Sequence, residues 1–156
     1  MKRTLILIAL SLCMCTMQAE VSKNVVRITV TSTPAVTWQP WQPLNPQESS
    51  GTGFVIDGNR ILTNAHVVNF ATFIQIMKDG AAKKYTAHVE HISHQVDLAL
   101  LRVDDESFFE GTVPVAFGDL PAIQDRVTII GFPEGGLDIS YTSGIVSRLE
   151  VQSYAH

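Results

Sequence analysis

Beyond its first nineteen residues the chain has no cysteine, Cys13 and Cys15 being the only two. A disulfide framework, a thiolate zinc site and a cysteine nucleophile are therefore excluded from the folded part, which a hydrophobic core must hold together. Charge of one sign is also scarce. Lys and Arg number 11 against 15 Asp and Glu, a net charge of -4, and no basic run occurs. Nothing here would neutralise a phosphate backbone, so nucleic acid is excluded as a partner. Long apolar runs are few. Residues 4–17 form an uncharged, mostly apolar stretch shorter than the ~20 residues that span a bilayer, so no stable membrane anchor is expected. No segment carries a long helical stripe. With 46% hydrophobic and 17% charged residues, the chain is too apolar for disorder, and 156 residues suit one domain or one domain plus part of another.

The first nineteen residues follow the order of a secretory signal. Lys2 and Arg3 start it, Thr4 to Met17 form the apolar stretch, and Ala19 offers a small residue for cleavage. Residues 1–19 are read as a signal peptide and 20–156 as the exported chain, periplasmic or secreted. Its loss removes Lys2 and Arg3 and takes the net charge to -6. A lipid-modified cysteine is disfavoured by bulky Leu12 and Met14 before Cys13 and Cys15.

What the remainder has is strand signal. Val25, Val26, Ile28 and Val30 crowd a β-branched stretch that ends at Pro34. Trp38 to Pro46 carries three prolines and reads as an extended loop, whose tryptophans are expected to pin it to the barrel or to a partner subunit, a peptide-binding groove being the alternative. Gly51–Leu62 predicts a hairpin turning at Asp57-Gly58-Asn59, with positive φ expected at Asp57 and Gly58. Further strands are expected at Thr72–Met77, Tyr85–Ile92, Leu98–Val103, Val113–Phe117, Val127–Ile130 and Ile139–Val151. Short strands with turn punctuation imply an all-β sandwich or barrel.

Two polar residues stand at strand ends. His66 follows a strand in Thr63-Asn64-Ala65-His66-Val67-Val68, and Asp97 opens Asp97-Leu98-Ala99-Leu100-Leu101. Singly, each reads as structural. Together they fit acyl transfer: a serine hydroxyl needs an imidazole to accept its proton, and a carboxylate must orient that imidazole.

These segments resemble a family. Gly51-Thr52-Gly53-Phe54-Val55-Ile56, then the His66 and Asp97 segments, then Gly131-Phe132-Pro133 with Gly135-Gly136, and Thr142-Ser143-Gly144-Ile145-Val146-Ser147-Arg148, are similar in order and spacing to the HtrA/Deg proteases. The resemblance implies a trypsin-like double β-barrel with His66 as general base and Asp97 as its orienting acid. It implies a first barrel over about 24–115 and the start of a second over about 116–156, truncated before its last strands. It also implies polypeptide substrates, cleaved through an acyl-enzyme, and no cofactor.

The family's Gly-Asn-Ser-Gly-Gly nucleophile segment does not occur in these residues. Ser49 and Ser50 lead into the Gly51–Ile56 strand, and Ser143 and Ser147 fall in a strand hairpin. Ser93, Ser107, Ser140 and Ser153 lack flanking glycines. None suits a nucleophile turn, so the chain alone is expected to be inactive. His88, His91 and His94 invite a zinc reading. Strand alternation should turn His91 away from the other two, so no metal site is expected. Two alternatives stay open: a non-catalytic barrel that binds peptides or a protease subunit, and a gene fragment without function. Oligomeric state is not legible.

Overall fold

The structure, a computed structural model, describes residues 21–34, 44–133 and 136–150. The signal-like segment 1–19, Trp38, Trp41, Gly135 and Ser153 lie outside the described residues. Six strands form a closed antiparallel barrel: β1 (Val25–Ser32), β2 (Gln47–Ile56), β3 (Arg60–Thr63), β4 (Ala71–Lys78), β5 (Lys84–Ser93) and β6 (Leu98–Val103). Their order around the barrel is β1-β2-β3-β6-β5-β4, and β1 pairs with β4 to close it. Strands β7 (Arg126–Gly131) and β8 (Ser140–Ile145) form a separate two-stranded sheet. Among the described residues no helix is long and apolar enough to cross a membrane.

Period-two patterning explains the barrel. Val26, Ile28 and Val30 of β1 point inward, while Arg27, Thr29 and Thr31 alternate outward. Val55, Ile61, Ile74, Ile76, Ala87, Ala99, Leu101 and Val103 complete the core from the other five strands. Fully burying each larger apolar side chain is worth about 1.5–3 kcal/mol. Two 3-10 turns plug the ends. Ala65–Val68 packs Val68 into the core at one end. Glu106–Phe109 inserts the fully buried Phe108 at the other, edge-on to Tyr85 and Phe109.

Several expectations need correction. β2 begins at Gln47, because its ladder with β1 continues to Ser32 through exposed polar residues that show no apolar alternation. The hairpin turn places positive φ at Gly58 and Asn59, not Asp57, since Ile56 pairs with Arg60 and three residues span the turn. Val113–Phe117 is not a strand. Pro114 lacks an N–H, and the segment is fastened by separate bonds from Val113 N–H to Asn24 Oδ1 and from Val115 N–H to Val55 O. β8 stops at Ile145, opposite Arg126, the first residue of β7. Val146 still exchanges main-chain bonds with the preceding turn, its N–H donating to Asp125 O and its carbonyl accepting from Gln124 N–H, but the chain closes into that turn through Asp125 N–H to Ala122 O, and residues 147–150 are in no strand.

Candidate active site

The site is assembled at one end of the barrel. β3 and β6 run side by side with Thr63 opposite Ala99, so the residue after β3 and the residue before β6 meet there. The 3-10 turn follows at once. Ala65 and Val68, three apart and therefore on one face of such a turn, are buried. His66 is left on the outer side with its side chain 70% exposed. Glycine makes room for this turn: a Cβ on Gly51 would lie 2.6 Å from Val67 Cγ1.

The structure brings His66 and Asp97 together. His66 Nδ1 lies 2.7 Å from Asp97 Oδ2, and the His66 main-chain N–H donates to Oδ1 at 2.9 Å. Both carboxylate oxygens are thus engaged by one residue. The His66 main-chain N–H, followed by its imidazole, holds the Asp97 carboxyl below the usual carboxylate range, while partial burial works against them. An ionised carboxylate only accepts, so the proton between the two belongs to Nδ1. The Nε2 lone pair is then directed to the open side. That is the disposition of a general base.

Sequence reasoning passed over Asn64. An asparagine before a short helical turn reads as a cap, yet its side chain makes no capping bond. Its Nδ2 donates instead to Asp97 O at 3.1 Å and to Asp97 Oδ2 at 3.2 Å. No local pattern signals a contact across 33 residues. Thr52 was also missed as a connector. Phe132 N–H donates to Thr52 Oγ1 at 2.8 Å, and Thr63 Oγ1 donates to Thr52 O at 2.8 Å. A cleft of about 360 Å³ lies between Thr52 and the second sheet, lined by Ile129, Phe132, Pro133 and Thr142.

The serines are dispersed. Ser49 and Ser50 are in β2, Ser93 ends β5, Ser107 is in the second 3-10 turn, and Ser140 and Ser143 are in β8. Among the described residues, the side-chain hydrogen bond of His66 goes to Asp97.

The alternation argument for the histidines fails. The β5–β6 register shifts between Val89 and His91, leaving Glu90 as a bulge that Arg60 holds by two bonds. His88 pairs with Arg102 and His91 with Leu100, two residues on one face of β6, so both histidines share the outer face. His94 sits in the following turn, and His88 Nε2 meets Asp104 Oδ2 at 3.0 Å. Among the described residues no three His, Cys, Asp or Glu side chains are grouped to hold a metal.

Comparison with known proteins agrees with the barrel and its two motifs. A family model described as a trypsin-like peptidase domain matches residues 51–156. The chain is 47% identical over 134 residues to "Protease Do-like 4, mitochondrial" of Arabidopsis thaliana, covering 85% of this chain and 26% of that protein. It is 42% identical over 134 residues to a "Serine protease DegP homolog" of Plasmodium falciparum (isolate 3D7), covering 86% of this chain and 15% of the other. A protease from M. tuberculosis, solved in its active form, superimposes with a TM-score of 0.62 at 28% identity, covering 81% of this chain and 49% of that one. The chain belongs to the trypsin-like serine peptidases, in their HtrA/Deg branch.

Proposed function

We propose that His66 is the general base, and Asp97 its orienting carboxylate, of a serine endopeptidase that hydrolyses peptide bonds of exported or misfolded polypeptides through an acyl-enzyme. The observation that carries this reading is the 2.7 Å contact between His66 Nδ1 and an Asp97 carboxylate already fixed by the His66 main chain. His66 Nε2 takes the serine proton as the hydroxyl attacks the carbonyl carbon, then delivers it to the leaving amine. Asp97 keeps the Nδ1–H in place and offsets the imidazolium charge.

The nucleophile and the oxyanion donors come, in this reading, from polypeptide outside these 156 residues, and the residues alone hydrolyse nothing. The chain spans about a quarter of the Arabidopsis relative it matches at 47% identity. Residues 1–19 are assigned as a signal peptide, about 24–115 as a first barrel and about 116–156 as the start of a second. The protein is assigned to a space outside the cytoplasm, periplasmic or secreted, on the signal-like order of its first residues.

Two measurements test this. The purified 156-residue chain is expected to leave casein intact and to take no label from a serine-directed fluorophosphonate. Stoichiometric labelling of any serine in it would overturn that assignment. The protein isolated from its source is expected to cleave casein and to lose at least about 10³-fold in rate with His66→Ala. Cleavage indifferent to His66→Ala would favour the peptide-binding alternative for this barrel.

A further inference from the structure

We propose that Asn64 is the positioning residue for Asp97, holding both its main chain and the carboxylate oxygen that faces His66. The proposal rests on the assignment of His66 and Asp97 as base and orienting acid, and extends it to the residue that keeps them in register.

Asp97 has φ 51, in the left-handed region that a non-glycine residue seldom occupies. Such a conformation persists when its surroundings hold it. The Asn64 side-chain amide supplies one such hold: Nδ2 donates to Asp97 O at 3.1 Å. The same nitrogen reaches Oδ2 at 3.2 Å. The two carboxylate oxygens are otherwise held unequally. Oδ1 accepts from the His66 main chain, which is fixed by the 3-10 turn. Oδ2 accepts from the imidazole, the group it is to orient. A restraint that moves with its object fixes nothing, so the bond from Asn64 to Oδ2 completes the hold that the His66 main chain begins at Oδ1. Asn64 follows Thr63, which is buried and bonded to Thr52 O at 2.8 Å. Its amide therefore projects from the wall of the barrel. The residue itself is exposed and outside the core, so its replacement leaves the core intact.

The test reads the resting imidazole and needs no turnover. ¹⁵N-resolved NMR of the 156-residue chain reports the His66 tautomer and the exchange of its Nδ1–H with water. His88, paired with Asp104 in another part of the barrel, serves as internal reference. The wild-type chain is expected to show the Nδ1–H tautomer at His66. In Asn64→Ala the tautomer preference should fall and the Nδ1–H exchange should quicken by about two- to ten-fold, the effect of losing one hydrogen bond. His88 and the far-ultraviolet circular dichroism should not change. Asn64→Asp has the same size without the donor and should behave like Asn64→Ala. Wild-type tautomer and exchange in Asn64→Ala would overturn the proposal, as would full retention in Asn64→Asp, which would reduce Asn64 to a space-filler. Either failure leaves the protease assignment to be judged by casein cleavage and labelling, and loss of cleavage leaves this measurement unaffected.

Discussion

The barrel and the second sheet are built from the same kind of strand, and they treat the same side chain differently. Ile28 in β1 is 0% exposed, while Ile129 in β7 is 68% exposed. Both are isoleucines on antiparallel strands, so propensity does not separate them. Closure does. Each barrel strand has a neighbour on both sides, and the inner face is covered by the strands across it. Among the described residues β7 and β8 pair only with each other, and every residue of β8 is exposed. Such a two-stranded ribbon is marginal by itself. The lesson is that an apolar strand residue contributes according to what covers it.

The sharpest way to break this comparison is to truncate one isoleucine in each region. Ile61→Ala removes a fully buried side chain from the barrel core and should cost about 2–5 kcal/mol in denaturant unfolding. Ile129→Ala should stay within about 0.5 kcal/mol. Equal losses would mean that the second sheet is covered in solution. A smaller contrast comes from adding a methyl group. At Gly53 a Cβ would lie 2.7 Å from Ile61 Cγ2 and 2.8 Å from Ile28 Cδ1, so Gly53→Ala should overpack the core and cost about 1–3 kcal/mol. At Gly144 in β8 the same Cβ meets nothing within 4 Å, and Gly144→Ala should stabilise by about 0.4–1 kcal/mol. A destabilised Gly144→Ala would reveal a neighbour there.

The smallest effect concerns an acid on the barrel side. Asp105 accepts from Ser107 N–H at 3.0 Å and meets Lys83 Nζ at 3.0 Å. Bonding to Ser107 and then to Lys83 lowers its carboxyl from its ordinary value of 3.8 to about 2. A lowered folded-state value means that its support is complete above the ordinary value and fades as pH falls towards about 2. Asp105→Asn should therefore melt slightly below the wild type at neutral pH, and the two curves should converge at about pH 2. The change should reach the amides around Phe108 and spare β7 and β8. A constant gap at every pH would assign the loss to packing instead of charge.

How far the sequence could be read follows the same divide. The six barrel strands were legible because burial on one face imposes alternation, as Val26, Ile28 and Val30 show. His66 and Asp97 were singled out by the motifs they share with the HtrA/Deg proteases, and the fold brings their side chains to 2.7 Å. Their support was not legible. The contact from Asn64 to Asp97 and the left-handed backbone of Asp97 arise from tertiary placement and leave no periodic mark. The bulge at Glu90 was equally hidden, since one extra residue reverses the facing of all that follow in β5 without altering composition. Past residue 111 the pattern held at Val127–Ile130, which lies within β7, and misled on either side of it. Val113–Phe117 has strand residues but a proline among them, and the strand expected to run on to Val151 ends at Ile145, with Val146 bonded to the turn at Gln124 and Asp125.

The three residues Gly51-Thr52-Gly53 can be regarded as a common datum. On one side of β2, Gly51 receives Val67 and so seats the turn that carries His66. On the other side, Thr52 receives the main chain of Phe132 and so locates the end of β7. Two parts measured from one reference do not accumulate each other's errors, however long or loose the loop between them. The barrel and the second sheet are joined in sequence by the irregular stretch from 110 to 125, which is fastened to the barrel at Val113 and Val115 and to the end of β8 at Gln124 but forms no strand between them. They are also gauged from adjacent residues of a single strand. Groups brought to the cleft by the second sheet would inherit their alignment with His66 from that strand, and reactions that lose speed over a misplacement of about 1 Å depend on such alignment.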